Sequence, residues 1–304
     1  MWKPFPRTAL RPKDLVHELR DGSPNDAAQY RRHWEPRLAI KPTLARPISQ
    51  PCSANQIYQV RYRQWVDEMH QPFVMHRKQW EWVYILQSLF VNNCLQVGRS
   101  GVGFGVGTEP ISAIAAKRGA RVLATDAPYE NAEGGGWTET NQHAGDQKAV
   151  NVSDICPQDE FEERVSFRVV DMRDVPPDIK GHDFTWSACA FEHLGTLEKG
   201  FEFVEKSLEC LKPGGFAVHT TEYNVSSNED TIEQGPTVLY RRRDFEAFAK
   251  RLKERGHRIS LTFGLGDTED DRHIDDKPYS NCHLKVREGN YVITSYGLTI
   301  QKAL

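Results

Sequence analysis

From Ser100 to the end of the chain, short apolar runs alternate with amphipathic stretches, and this alternation constrains the fold most strongly. It is typical of β-α units, in which helices cover a mostly parallel sheet. We predict seven strands, at Gly101–Phe104, Arg121–Thr125, Val165–Val170, Phe184–Ser187, Gly215–Thr220, Arg258–Phe263 and Tyr291–Ile300. Helices are predicted at Ile111–Lys117, Gly200–Leu211 and Asp244–Arg255. The sequence therefore predicts an α/β fold with a doubly wound, seven-stranded, mostly parallel sheet in residues 100–304.

Two further segments precede this domain. Residues 1–56 are rich in Pro, Arg and Lys, so we predict an N-terminal extension that packs on the domain or, in a homo-oligomer, on a second subunit. Residues 57–99 carry aromatic and aliphatic residues at helical spacing, which predicts two helices separated at Gln71-Pro72. The second helix opens with the polar and aromatic segment His76–Glu81. This segment is either a solvated helix start or part of a lid or cap over a binding site.

Composition narrows the cellular context and the partners. The six cysteines form no Cys-x-x-Cys pair, which favours reduced thiols over a zinc ribbon or a redox site. No apolar run approaches the roughly 20 residues of a membrane span. A net charge of -3 offers no general attraction to nucleic acid. We therefore expect a cytoplasmic protein that acts on a small molecule or a glycan, without a membrane or a nucleic-acid partner.

The turn after the first predicted strand is rich in glycine and reads Gly103-Phe104-Gly105-Val106-Gly107-Thr108-Glu109. Ligands of doubly wound sheets bind at the carboxyl ends of the strands, and glycine lets the backbone approach them closely. No register of this turn gives the Gly-x-Gly-x-x-Gly pattern of a dinucleotide site. The spacing therefore favours S-adenosylmethionine over NAD.

Acidic residues follow the next two strands. Asp126, which precedes Ala127, ends the second strand about twenty positions after the turn, where a carboxylate can bind ribose hydroxyls. The third strand ends at Asp171-Met172-Arg173, where Asp171 could receive an adenine amino group and Met172 could pack on the ring. Either acid alone would more often be a helix cap or a solvated loop residue. Their joint placement favours an adenosine site.

Together these motifs resemble the class I S-adenosylmethionine-dependent methyltransferases over Ser100–Leu304, including the turn Leu211–Gly215 and the long last strand. The resemblance implies an antiparallel seventh strand and S-adenosylmethionine as cofactor. Trp186–Gly195 and His219–Glu222 resemble a little-characterised bacterial branch of the family. The chain departs from the family at Gly103, where an acid is usual, and at Glu109, where a glycine is usual. Glu109 or a residue of the N-terminal helices is expected to substitute for the missing acid.

Polar residues follow the fourth and fifth strands, where the resemblance places the transferred methyl group. The fourth strand ends at Ser187, a predicted cofactor contact, and the residues at or just beyond the two strand ends are Glu192, His193, His219 and Glu222. A histidine can remove a hydroxyl proton when a carboxylate orients it. We predict His193 as the base and Glu222 or Glu192 as the orienting group. The alternatives are a helix start at Glu192-His193, a structural His219, and a divalent metal site formed by all four residues.

Three functions remain open. The first is O-methylation of a hydroxyl on a small molecule, sugar or glycan; the second is N-methylation of a small amine, which needs no base; the third is an inactive scaffold that binds the cofactor. Base N-methylation is disfavoured because Ser187-Ala188-Cys189-Ala190 replaces the Asn/Asp-Pro-Pro-Tyr/Phe turn of such enzymes. The long connection 127–162, including Trp137–His143, is expected to close over the site.

Overall fold

The computed structural model describes residues 43–129, 143–151 and 155–304. The predictions for residues 1–42, and for most of Trp137–His143, lie outside these ranges. So does the proposal that the first part of the N-terminal extension joins two subunits.

The described residues form eleven strands and nine α-helices, with one short 3-10 helix at Phe191–His193. The strands are β1 Gln50–Pro51, β2 Met75–His76, β3 Ser100–Phe104, β4 Arg121–Asp126, β5 Val165–Val169, β6 His182–Ala188, β7 Leu211–Asn224, β8 Arg258–Ile259, β9 Cys282–His283, β10 Val286–Glu288 and β11 Tyr291–Gln301. The helices are α1 Ala54–Ile57, α2 Val60–Glu68, α3 Arg77–Val91, α4 Ile111–Lys117, α5 Gln147–Val150, α6 Gln158–Arg164, α7 Leu197–Glu209, α8 Arg242–Glu254 and α9 Glu269–Arg272.

The main sheet has the order β1-β11-β7-β6-β3-β4-β5, and β8 and β10 also pair with β11. The five strands from β7 to β5 are parallel, and β11 runs antiparallel to β7. The chain proceeds outward from β3 through β4 to β5, and then from β6 to β7 on the other side. The order therefore reverses between β3 and β6, which confirms the doubly wound sheet with an antiparallel last strand.

The predicted sixth strand, Arg258–Phe263, is shorter than expected. Only Arg258 and Ile259 pair with β11. Beyond them the backbone pairs instead with Ser49, whose N-H donates to Ser260 and whose carbonyl accepts from Thr262. The residues just before β1 therefore take the place that a longer sixth strand would fill.

Two apolar cores lie on opposite faces of the sheet. One contains α3, which buries ten of its 15 residues and contacts β6, β7 and β11. Gly297 of β11 makes this possible, because a Cβ there would lie 2.2 Å from the Tyr84 ring. The other core joins α7 and α8 through Phe201 and Phe248, whose rings stack 4.1 Å apart. Both helices predicted between residues 57 and 95 are present as α2 and α3.

Within the described ranges, the helices are all too short or too polar to cross a lipid bilayer.

Candidate functional site

The candidate site lies where β3, β4, β6 and β7 end and the chain turns toward the following helices. The glycine-rich turn begins at the end of β3, which contains Gly103 and Phe104. Gly105 and Gly107 have φ angles of 60° and 50°, which L residues with side chains rarely adopt. A Cβ on Gly105 would also lie 3.1 Å from the Cβ of Ala190, which follows β6. Glycine is therefore needed here for both conformation and space.

Asp126 ties this turn to the end of β4. Its carboxylate accepts hydrogen bonds from the backbone N-H groups of Gly107 at 3.1 Å, Ala144 at 2.9 Å and Ala127 at 2.8 Å. Burial raises the pKa of Asp126, and the backbone donors oppose that shift. The predicted cofactor residues Val106, Gly107, Asp126 and Ala127 thus lie together, and Thr108 follows, half-buried.

The residues after β5 separate into a buried and an exposed part. Met172 is 8% exposed, and its sulfur lies 3.5 Å from the position of a Cβ on Gly105. Asp171 instead lies at the surface, where its carboxylate accepts from Nε and Nη2 of Arg173 at 2.6–3.0 Å. Met172 therefore borders the glycine turn, while the Asp171 carboxylate is engaged by Arg173.

The neighbours of Gly103 leave no space for the acidic residue that is usual at this position in the family that the chain resembles. Gly103 pairs with Trp186 on the neighbouring strand. A Cβ on Gly103 would lie 2.3 Å from Cζ2 of Trp186 and 2.5 Å from Cγ1 of Val106. The indole ring therefore fills the space that any longer side chain at this position would need.

Replacing Gly103 by alanine should consequently destabilise the fold. We expect a loss of about 1–3 kcal/mol in unfolding free energy, because Trp186 or the strand backbone must move. The measurement is urea denaturation followed by tryptophan fluorescence. Gly145→Ala is the control, because a Cβ there meets no atom within 4 Å, and its effect should stay within about 0.5 kcal/mol. Equal effects of the two substitutions would contradict this explanation.

The start of α3 brings charged side chains to the same edge of the sheet. Nζ of Lys78 lies 3.0 Å from Oε1 of Glu109 and 3.2 Å from Oε2 of Glu81, and it donates to the carbonyl of Ala188 at 3.1 Å. Lys78 therefore links α3, the glycine turn and the end of β6. The ion pair between Lys78 and Glu109 thus joins Glu109 to a residue of the N-terminal helices. These are the two places where a substitute for the acid missing at Gly103 is expected.

Arg77 makes the second link, to the end of β7. Its Nη1 lies 2.7 Å from Oε1 of Glu222 and 3.5 Å from Oε1 of Glu81. Burial raises the pKa of Glu81, but Lys78 and Arg77 outweigh it, so the net direction is downward. For Glu222, burial together with the Glu192 and Glu81 charges outweighs Arg77 and raises the pKa to about 7. The site thus contains one firmly ionised carboxylate and one that titrates near neutral pH.

Glu192 and Cys189 complete the cluster. Glu192 is fully buried, and its Oε2 accepts from the Thr221 hydroxyl at 3.0 Å. Burial raises its pKa. Cys189 directly follows β6 with a φ of 48°, an uncommon conformation for a residue other than glycine. Sγ of Cys189 and carboxylate oxygens of Glu192 and Glu222 lie within 4.8 Å of one another.

His219 does not belong to this cluster. Its Nδ1 lies 2.8 Å from the Ser187 hydroxyl and its Nε2 lies 2.9 Å from the Ser207 hydroxyl. Burial lowers the pKa of His219 to about 3. With both ring nitrogens bonded and the side chain fully buried, the surroundings of His219 fit the structural alternative better than a catalytic role. The Ser187 hydroxyl likewise lies in the interior against His219 rather than toward a cofactor.

His193 ends the 3-10 helix after β6 and is half-buried. Its Nδ1 lies 2.9 Å from the carbonyl oxygen of Pro236 and 3.2 Å from the Thr237 hydroxyl. A carbonyl can only accept, so the neutral ring carries its proton on Nδ1 and its basic lone pair on Nε2. The Pro236 carbonyl therefore orients the ring through Nδ1, the role that the sequence analysis predicted for Glu192 or Glu222.

The sequence placed Glu192 and Glu222 at one edge of the sheet and offered His76–Glu81 as part of a lid or cap, but it gave Arg77, Lys78 and Glu81 no individual role and did not indicate Cys189. The available signal was the segment His76–Glu81, in which charged groups recur three and four positions apart at a helix start. The predicted four-residue metal set is also corrected. His219 lies in the core, and Cys189 joins the two glutamates instead.

No protein-family model matches the sequence, and no curated protein is significantly similar to it. Similar solved structures include an S-adenosylmethionine-dependent methyltransferase from Methanosarcina mazei, with 12% identity over 71% of this chain and 97% of that one and a TM-score of 0.42. The CcbJ methyltransferase from Streptomyces caelestis has 12% identity over 71% and 93%, with a TM-score of 0.40. TehB from Haemophilus influenzae has 12% identity over 72% and 61%, with a TM-score of 0.43. By its own strand order and antiparallel last strand, the chain has the class I methyltransferase fold.

Proposed function

We propose that this protein is an S-adenosylmethionine-dependent methyltransferase that O-methylates a hydroxyl of a small molecule or sugar. The observation that carries the proposal is the junction of the glycine turn with Asp126, at the edge where the strand order reverses. The residues fit the cofactor, because two glycines in left-handed conformation leave space beside Met172 and a buried carboxylate lies at the end of β4. Lys78 and Glu109, which border the same turn, suit the carboxylate and ammonium groups of its methionine part.

When bound, the cofactor supplies a sulfonium methyl group that needs little activation. The glycine turn, Asp126, Lys78 and Glu109 would hold the cofactor, which would give its methyl group to the acceptor oxygen and leave as a neutral thioether. The protein must then align the acceptor and take the hydroxyl proton. His193 suits this task because the Pro236 carbonyl holds the proton of the neutral ring on Nδ1, which places its basic lone pair on Nε2. The proton moves from the acceptor hydroxyl to Nε2.

A second candidate is N-methylation of a small amine. It is favoured by the buried carboxylates of Glu192 and Glu222, which could bind an ammonium group. Such a reaction requires no base at His193, so the two candidates differ in their dependence on this residue. An inactive scaffold is less favoured, because burying this many charges is costly and binding alone does not require it.

Calorimetric titration with the demethylated product S-adenosylhomocysteine tests the cofactor part. We expect binding by the natural protein and about 10- to 100-fold weaker binding by Asp126→Asn. An amide has one accepting oxygen and a donating nitrogen, so it cannot accept from Gly107, Ala127 and Ala144 together. Asp178→Asn is the control, since its carboxylate pairs with Arg168 at the surface. Absent binding by the natural protein, or equal affinity of Asp126→Asn, would refute the cofactor assignment.

A further inference from the structure

The ends of β6 and β7 bring together three side chains that can ligate a metal ion. Sγ of Cys189 and one carboxylate oxygen from each of Glu192 and Glu222 lie within 4.8 Å of one another. Ligand atoms bound to one ion are somewhat closer than this, so small side-chain movements would bring all three into coordination distance.

In the carboxylates of Glu192 and Glu222, one oxygen has a partner and the other lacks a hydrogen-bond donor. Oε2 of Glu192 accepts from Thr221, and Oε1 of Glu222 binds Arg77. Within the described ranges, neither Oε1 of Glu192 nor Oε2 of Glu222 has a hydrogen-bond partner, although the two residues are only 0% and 7% exposed. Buried carboxylate oxygens without donors are costly, so these two atoms indicate that the site accommodates a further positive group.

The charges of the surrounding residues also indicate that a positive group is missing from the site. Four carboxylates, those of Glu81, Glu109, Glu192 and Glu222, share two cations, Arg77 and Lys78. When the four carboxylates are ionised they lack two positive charges, and the Cys189 thiolate would add a third negative charge. A divalent ion would offset two of the three.

We propose that Cys189, Glu192 and Glu222 bind a divalent transition-metal ion of the Zn²⁺ type. A thiolate favours such an ion over Mg²⁺ or Ca²⁺, and three protein ligands leave a coordination position open. The backbone of Cys189 is in the left-handed region, and residues with such strained backbone conformations cluster at functional sites. The open position would bind the acceptor hydroxyl. That role rests on the proposed function, whereas metal binding itself does not.

Proton release is a further consequence. A metal ion binds the thiolate, so binding must displace the thiol proton. Zn²⁺ titrations at pH 7 in buffers of different ionisation enthalpy should therefore show at least one proton released per ion bound, and affinity should rise with pH.

Titration of the metal-free full-length protein with Co²⁺ tests the site without cofactor or acceptor. We expect one Co²⁺ per chain, a thiolate-to-cobalt charge-transfer band in the near ultraviolet, and displacement by Zn²⁺. Cys189→Ser should abolish the band, and Glu192→Gln should weaken binding about 100-fold or more. Cys282→Ser, a half-buried thiol outside the cluster, should behave like the natural protein. Circular dichroism of each variant checks that it is folded.

An absent band in the natural protein, or an unchanged band and affinity in folded Cys189→Ser or Glu192→Gln, would overturn the metal proposal. Binding of S-adenosylhomocysteine is measured separately. The metal site can therefore fail while the cofactor assignment stands, and the reverse also holds.

Discussion

Replacement of His193 by alanine is expected to reduce hydroxyl methylation by about 10²- to 10⁴-fold while leaving the affinity for S-adenosylhomocysteine nearly unchanged. The carbonyl of Pro236 holds the proton of the neutral ring on Nδ1, so the basic lone pair lies on Nε2, the atom proposed to take the acceptor proton. Glycine-turn residues and Asp126, which the proposal assigns to the cofactor, are not altered. The measurement is turnover on a hydroxyl panel, with calorimetric titration of the same preparations.

Two comparisons sharpen this test. Thr237→Val removes the weaker contact to Nδ1 but keeps Pro236, so it should retain most of the activity. Normal turnover by His193→Ala on a hydroxyl acceptor would exclude this histidine as the base, and an amine acceptor that tolerates the substitution would favour N-methylation.

Replacement of Arg77 by methionine is expected to cost about 3–5 kcal/mol of unfolding free energy at pH 8. Methionine keeps most of the side-chain length but removes the charge that pairs with Glu222 and Glu81. The two carboxylates would then remain buried with less compensation. Urea denaturation provides the measurement, and Arg99→Met is the control, because Arg99 is 43% exposed and should contribute no more than about 1 kcal/mol.

The loss of unfolding free energy in Arg77→Met should depend on pH in a defined direction. Glu222 has a pKa raised from 4.5 to about 7 in the folded protein, so its contribution to stability is present below pH 4.5 and is lost as pH rises toward 7. Without Arg77 the folded pKa rises further, and the loss extends to higher pH. The difference in stability between Arg77→Met and the natural protein should therefore be smaller at pH 5 than at pH 8. A difference that is constant with pH, or no larger than that of Arg99→Met, would contradict the electrostatic explanation.

Local patterns predicted the secondary structure well where local interactions determine it. The helix Ile111–Lys117 has the predicted bounds. The helix predicted from Gly200 begins at Leu197, because the Thr196 hydroxyl accepts from the N-H of Lys199 and caps it earlier. The sixth strand was overestimated because its partner, Ser49, lies far away in sequence.

The site was predicted only in part, for a related reason. Sequence placed Glu192 and Glu222 after neighbouring strands, and strand order brings such residues together. It favoured His193 as the base and kept a structural His219 as an alternative, but it could not show which groups hold the His219 ring. Those groups are Ser187 and Ser207, which satisfy His219 from two other elements.

The sequence by itself determined the alternation of strands and helices, the position of the glycine turn, and the order in which polar residues follow successive strands. These properties depend on residues near one another in the chain. Only the tertiary structure decided that the start of α3 supplies two cations to the ends of β6 and β7. Lys78 and the carbonyl of Ala188 are 110 positions apart, and their contact exists only because α3 packs across the sheet. A charge is recognisable in a sequence, but its partner depends on which surfaces the apolar core brings together.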